Sequence, residues 1–440
     1  MFEKYFQLSK NKTNVRTEVI AGITTFIAAM YIIVVNPAII SKTGASFSAV
    51  LTATVILCAF STLAMGLYAN NPILVAPGMG MNAFFTFSVV LGMGVKIETA
   101  LGATFWAGIL FLILSIFNVR TYIVKAIPKQ IRYAVSAGIG LFIALIGFAN
   151  AGFIVAKSPL IGVGRIDVIA VTFLIGFVIT SILVAKNIKG ALIIGIIITT
   201  VLCFPIGRMY GDASAVNFGS ATLVSWKGLF SAPDFSLLMK LDLLGSLKLA
   251  IWPVTFAILF TDMFDSLSTF VGVSEAAGLI DETGEPRNIK QSLIVDAFAT
   301  GLAGILGSSS GTAYIESAAG VQQGGRTGLT AVITGLLFIP FMFFSPLLSM
   351  VPSVATAPAL VLVGVFMLKP ILKINWNSLD DSIPAFLSLI LIPFTYSITQ
   401  GIVWGFLSWT LIKLFMRKYN EISWTLIIID ILSILLLVLS

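Results

Sequence analysis

Apolar runs of roughly 17–25 residues recur along this chain, separated by short polar breaks, and they constrain its fold more than any other feature. That is the length of a helix crossing hydrocarbon, not the ~10-residue alternation of a membrane barrel strand. In lipid only helices and closed barrels satisfy their own backbone groups. The expected fold class is therefore an all-α polytopic membrane protein. Composition agrees: 58% of the 440 residues are hydrophobic and 10% charged, against about a quarter charged in a soluble domain.

The runs place spans near residues 18–40, 48–69, 72–92, 98–118, 132–152, 166–185 and 189–207. A second series follows at 249–274, 291–308, 310–325, 328–348, 355–372, 383–398 and 401–416, about fourteen segments in all. Between them, Met209–Ser246 is more polar and reads as a link, with an interfacial amphipathic helix expected over Phe235–Leu244. A cytoplasmic N-terminus puts most of the 26 basic residues inside, among them Lys10, Arg16, Arg120, Lys125, Arg132, Arg287, Arg326 and Lys413. The apolar tail Ile422–Ser440 contains Asp430 and makes either an extra span or an interfacial segment.

The scatter of basic residues between apolar runs also explains the net charge of +7 without a nucleic-acid partner. Cys58 and Cys203 lie in apolar runs and have no metal-ligand or disulfide spacing, and histidine is absent. No cofactor or metal is expected. The first apolar run is too long for a cleaved signal peptide, so it is read as a span.

Two segments look interrupted, and each is third in its series. One is Ile73–Asn82, with Pro77, Gly78 and Gly80; the other is Gly307–Gly320, with a serine run and Gly311. Paired Gly/Pro-interrupted segments in corresponding places of two halves point to a transporter binding site. Ordinary kinked helices are the plainer alternative.

The acids inside the apolar runs are the second pointer. Asp262 and Asp265 share one helical face with Thr255, Ser266 and Thr269, Asp296 interrupts the next run, and Glu316 stands where a half-helix would begin. A carboxylate deep in a membrane normally faces the bundle interior or a water-filled cavity. Asp265 and Asp296 can equally brace neighbouring segments, and Glu316 can act as a local cap. No basic residue in these spans pairs with the acids, and buried carboxyl groups without a cation bind protons near neutrality. Proton coupling is the expectation, with Asp262 the candidate carrier.

Three segments then carry a resemblance: APGMGMNAFF at Ala76–Phe85, FTDMFDSLSTFVGV at Phe260–Val273, and AYIESAAG…GGRTGLTAV from Ala313 to Val332. In this order and spacing, over essentially the whole chain, the sequence resembles the AzgA-like hypoxanthine–adenine–guanine permeases of the nucleobase–ascorbate transporter superfamily. The departure is Ser266–Leu267–Ser268, where relatives often carry a Thr/Ala–Gly–Thr run.

The resemblance implies a 7+7 inverted-repeat fold whose third and tenth spans are a short strand plus a half-helix. It divides the chain into core halves at 1–119 and 248–348, gate halves at 120–208 and 349–440, and a link at 209–247. It also implies import of a purine base across a cell membrane, with a homodimer as one assembly. Substrate contacts are expected from Glu316, Asp262, the amides near Met79, Gly80 and Ser317, and Phe264, with Phe84 and Tyr314 as further candidates for the ring faces. Asn82, Asp265 and Asp296 are expected to hold the site from behind. The alternatives are a sulfate or bicarbonate transporter of the related fold, or a carrier of uracil or xanthine. An anion carrier should avoid two acids at its site. An intramembrane enzyme would need a catalytic pair, which Asp262 and Asp265 on one helix make poorly, and a passive channel would not need buried acids.

Overall fold

The computed structural model describes residues 2–117, 128–158, 160–209, 215–217, 220–224, 226–280 and 286–424, with 426, 427, 430, 431, 433 and 434 of the tail. Its principal helices are α1 (Val15–Ala29), α2 (Ile32–Ile40), α3 (Phe47–Leu67), α4 (Met79–Ala83), α5 (Ile97–Ile116), α6 (Lys129–Asn150), α7 (Val168–Ala185) and α8 (Ala191–Met209). The second half supplies α9 (Trp252–Ala277), α10 (Ile289–Leu306), α11 (Ser317–Gln322), α12 (Gly328–Phe338), α13 (Ser353–Met367), α14 (Leu379–Thr395) and α15 (Ile398–Phe415). Among the described residues, nine helical stretches are long and apolar enough to cross a membrane, and Met79–Gly92, Ala191–Ile206 and Gly328–Phe343 are shorter apolar helices. Arg120 and Lys125, expected on the inner side, lie outside the described residues, as does much of the tail.

In the interrupted segments, the two three-residue strands β1 (Val75–Pro77) and β2 (Gly311–Ala313) pair antiparallel, with Val75 opposite Ala313 and Pro77 opposite Gly311. Both strands are fully buried. The Gly78 N–H donates to the Ser310 carbonyl at 3.0 Å and the Tyr314 N–H to the Leu74 carbonyl at 2.9 Å, extending the ladder at both ends. Each strand thus supplies the hydrogen bonds that the other lost by leaving a helix. After β1 the chain becomes α4 and then π-helix over Phe84–Gly92; after β2 it bends into α11.

The link corrects one expectation. Residues 235–244 form turns and irregular chain rather than an amphipathic helix. They are held by specific backbone bonds, Met239 N–H to the Ile305 carbonyl at 2.8 Å and Asp242 N–H to the Glu98 carbonyl at 2.8 Å. Docking on the ends of α5 and α10 takes the amides that a helix would have used internally.

Close packing follows from small residues at helix crossings. A Cβ on Gly108 of α5 would stand 2.2 Å from the Gly301 backbone nitrogen of α10, so the two helices meet backbone to backbone. Another junction rests on an acid that sequence reading passed over. The fully buried Glu18 of α1 accepts from the N–H groups of Arg326 (2.9 Å), Thr327 (3.3 Å) and Thr330 (3.1 Å) and from the Thr330 hydroxyl (2.6 Å). It caps α12 from another part of the chain, where the free amides of a helix start favour negative charge.

Glu18→Ala should therefore lower stability by about 2–3 kcal/mol or more, since several buried donors lose their acceptor together. Glu18→Gln should cost less. Thermal unfolding of detergent-purified protein checks this, and equal melting temperatures for wild type and Glu18→Ala would contradict it.

Candidate functional site

The strand pair sets two chain reversals beside one cavity of about 210 Å³. Its walls include Tyr31, Met79 and Gly80 from the first half of the chain, Asp265 and Glu316 from the second, and Ser136, Phe366 and Met367 from α6 and α13.

The start of α4 contributes donors. The Asn82 N–H is the first in this helix to reach a carbonyl, that of Gly78 at 2.8 Å. The amides of Met79, Gly80 and Met81 precede it and have no intrahelical acceptor. Gly80 is required by space, because a Cβ there would lie 2.4 Å from Ile139 Cγ2 on α6.

The start of α11 behaves differently. The Ser317 N–H already donates to the Tyr314 carbonyl at 3.1 Å, and the next two amides go to Ile315 and Glu316 at 3.0 Å each. The Ser317 hydroxyl accepts the Leu74 N–H at 3.0 Å, and its side chain is buried outside the cavity. Ser317 was expected to offer a backbone N–H to a ligand; the tight turn before α11 consumes that amide. What this end offers is an acceptor. The Glu316 carboxylate lines the cavity and takes one hydrogen bond, from the Tyr31 hydroxyl at 2.6 Å.

The remaining acids separate by position. Asp265 lines the cavity. Asp262 does not: it is fully buried behind β2, where one carboxyl oxygen accepts from the Thr300 hydroxyl and the other has no partner. The geometry thus reverses the expected order, since Asp262 was placed against the ligand and Asp265 behind it. Asp296 is also fully buried, and neither of its oxygens has a hydrogen-bond partner. Ser266, the neighbour of Asp265 on α9, is buried with its hydroxyl 2.6 Å from that of Thr312 on β2.

Asn82 is fully buried and its Oδ1 accepts from the Ser309 hydroxyl, which joins the α4 segment to the residues preceding β2. Of the aromatic candidates, Tyr314 lines the cavity, and its hydroxyl donates to the Pro77 carbonyl. Phe264 lines a neighbouring cavity and continues a stacked row with Phe260. Phe84 is buried in packing. Tyr31, Thr300 and Ser309 went unmarked in the sequence. Tyr31 meets Glu316 across 285 positions, and no spacing rule spans that distance. The serine run at Ser308–Ser310 was the one available signal for Ser309.

A bundle of apolar helices enclosing a polar cavity, with acids and free helix-start amides at paired chain breaks, defines a multi-pass membrane transporter rather than an enzyme. The chain belongs to the permease family whose model, Xan_ur_permease, matches residues 16–404. It is 42% identical over 442 residues to the adenine permease AdeP of Escherichia coli (strain K12), covering 100% of this chain and 96% of that protein. It is 39% identical over 433 residues to the guanine/hypoxanthine permease PbuO of Bacillus subtilis (strain 168), covering 97% and 98%. Among solved structures, the transmembrane domain of the cyanobacterial bicarbonate transporter BicA superposes with a TM-score of 0.63 at 16% identity, over 89% of this chain and 97% of that one. SLC26A9 gives 0.64 at 11% identity, over 94% and 66%. These two likenesses concern the fold.

The Asn82–Ser309 bond joins the two interrupted segments without reaching the cavity wall. Asn82→Ala should reduce transport rate more than substrate affinity, and Ser309→Ala should do the same more mildly. Paired uptake and binding assays check this. A collapse of binding with turnover preserved would contradict it.

Proposed function

We propose that this protein is a secondary active transporter importing purine nucleobases, hypoxanthine, guanine or adenine, across the cell membrane by proton symport. One observation carries the reading: the Glu316 carboxylate, braced by Tyr31, and the unpartnered amides at Met79 and Gly80 line the same cavity. A purine base is neutral and flat, with N–H donors and ring-nitrogen acceptors on its edge. The carboxylate suits the donors, helix-start amides suit the acceptors, and Phe366 and Met367 offer apolar surface to the ring faces. Asp265 supplies a second acceptor. Two relatives matching nearly full length are named for adenine and for guanine/hypoxanthine transport, which supports the same class of substrate.

In this reading the segments 72–92 and 310–325 are broken spans, the third and tenth of fourteen, with the N-terminus cytoplasmic. Residues 1–119 and 248–348 form a core, and residues 120–208 and 349–440 a gate. The cavity takes walls from both, so rocking one against the other exposes a single site alternately to each side. Two copies are expected to pair as a homodimer. An anion substrate is disfavoured: Glu316 and Asp265 would repel it, and the likeness to bicarbonate and SLC26 transporters is one of fold.

Asp262 is the proposed proton carrier, joined to β2 through the Thr300 hydroxyl, which also reaches the Gly311 carbonyl, and Asp296 is proposed to support the site from outside the cavity. Protonation removes the charge that opposes movement of the core through a low-dielectric region.

Glu316→Gln replaces one acceptor oxygen with a donor and sets it against the base's own N–H. It should weaken purine binding roughly tenfold or more, the cost of an unmatched buried polar group. Unchanged affinity for labelled hypoxanthine and adenine in purified mutant protein would rule Glu316 out as the recognition acid.

Energy coupling is read in proteoliposomes. Wild type should concentrate a purine base when the outside is acidic and lose that ability with a protonophore, while a sodium gradient alone does nothing. Asp262→Asn should exchange base down its gradient without accumulating it. Accumulation that follows sodium and ignores the protonophore would overturn the proton assignment.

A further inference from the structure

The cavity containing Glu316 has a neighbour. It shares the walls Ser136, Asp265, Ser268 and Pro370 with a second cavity of about 200 Å³. Asp265, Ser268, Gly272 and Glu275 of α9 recur at i, i+3, i+7 and i+10 on one helical face; the first two line both spaces and the last two only the second. The wall at Gly272 is roomy, since a Cβ there would meet only Ile315 Cδ1, at an ordinary contact distance of 3.6 Å. On α6 the corresponding line is Ile139, Ser136 and Arg132.

The second space differs from the first in charge. Arg132 and Lys373 both line it, and neither is in an ion pair among the described residues. The Arg132 Nε is buried without a hydrogen-bond partner. Lys373 stands with its Nζ 5.9 Å from the Tyr133 ring centroid, at the end of the turn Lys369–Lys373. Glu275 is the acid at this end, with Asp265 a length of helix away. Unpaired cations beside a membrane cavity usually mark a ligand path, and a neutral base has no use for two of them. An arginine fork with a neighbouring lysine suits a phosphate group. From Ile139, against which Gly80 packs, to Arg132 is seven residues, about 10 Å along a helix. A ribose 5-phosphate attached to a base covers that order of length.

We propose that the second cavity is a phosphate subsite, and that the two cavities together bind a purine nucleoside 5′-monophosphate, with its base beside Glu316 and its phosphate on Arg132 and Lys373. The proposal rests on the purine reading of the Glu316 cavity. The nucleotide enters from the side on which Arg132 and Lys373 lie, carries a charge that the core cannot take across, and holds the site occupied. It acts as an inhibitor of base transport, not as cargo.

Purified protein tests this with labelled adenine and hypoxanthine, displaced by AMP and IMP, by the nucleosides adenosine and inosine, and by inorganic phosphate. Direct binding of labelled AMP and IMP is measured alongside. The monophosphates should bind roughly tenfold or more tightly than the nucleosides, as expected for a desolvated charge contact, and added salt should erode that preference. The Arg132→Gln/Lys373→Gln double variant should lose the preference, and Arg132→Lys/Lys373→Arg should keep most of it. Lys373→Gln alone, at an exposed position, should weaken nucleotide binding while leaving base binding unchanged. A wild type that binds nucleoside as tightly as nucleotide overturns the proposal, as does a double-glutamine variant that keeps the preference. Nucleotide binding that depends on both cations, without any base binding, would retain the phosphate subsite and discard the purine-transport reading.

Discussion

The rest of the site depends on the pairing of two three-residue strands inside an apolar bundle. Backbone that leaves a helix in such surroundings strands its N–H and C=O groups, each of which costs free energy if left alone. Val75–Pro77 and Gly311–Ala313 answer this for each other. Because they run antiparallel, the start of α4 and the Glu316 turn end up beside one space. The donors are thus main-chain amides, and the acceptor facing them, the Glu316 carboxylate, is placed by the turn after β2 and held by the Tyr31 hydroxyl. Gly80 continues the same logic, since its missing side chain lets Ile139 of α6 close the wall.

The buried acids fall into two groups by how well their oxygens are satisfied. Glu18 takes four hydrogen bonds at the start of α12, and Asp380 is held by Lys413 at 2.7 Å and Lys418 at 2.5 Å. Such saturated groups hold elements in place. Around the cavity the pattern inverts: Glu316 has a single tyrosine partner, Asp262 an unpartnered oxygen, and Asp296 two. Under-satisfied carboxyl groups in a closed interior are costly to keep. Glu316, Asp262 and Asp296 gather near the strand pair, while Asp430 in the apolar tail is a further buried acid whose two oxygens have no partner.

Charge also differs between the two cavities. The Glu316 cavity is lined by carboxylate and amide groups, whereas Arg132 of α6 and Lys373 of the turn after α13 line the adjoining one.

Much of this was readable before any coordinates. Apolar runs of bilayer length demanded helices, because no other local structure satisfies a backbone in lipid. Pro77, Gly78 and Gly311 marked where helices must break, and Asp262, Asp265, Asp296 and Glu316 stood out because charge is expensive there. The link at 235–244 misled, since an amphipathic pattern cannot distinguish a helix from a chain whose amides are taken by neighbouring helix ends. Tertiary structure alone decided which acid meets the cavity. Asp262 and Asp265 are three residues apart, about 60° around a helix, so both fit the same face and only the packing of β2 and Thr300 separates them. It also brought Tyr31 to Glu316 and set Arg132 and Lys373 on the walls of one cavity, because contacts across hundreds of residues depend on how helices stack and leave no periodic trace in the chain.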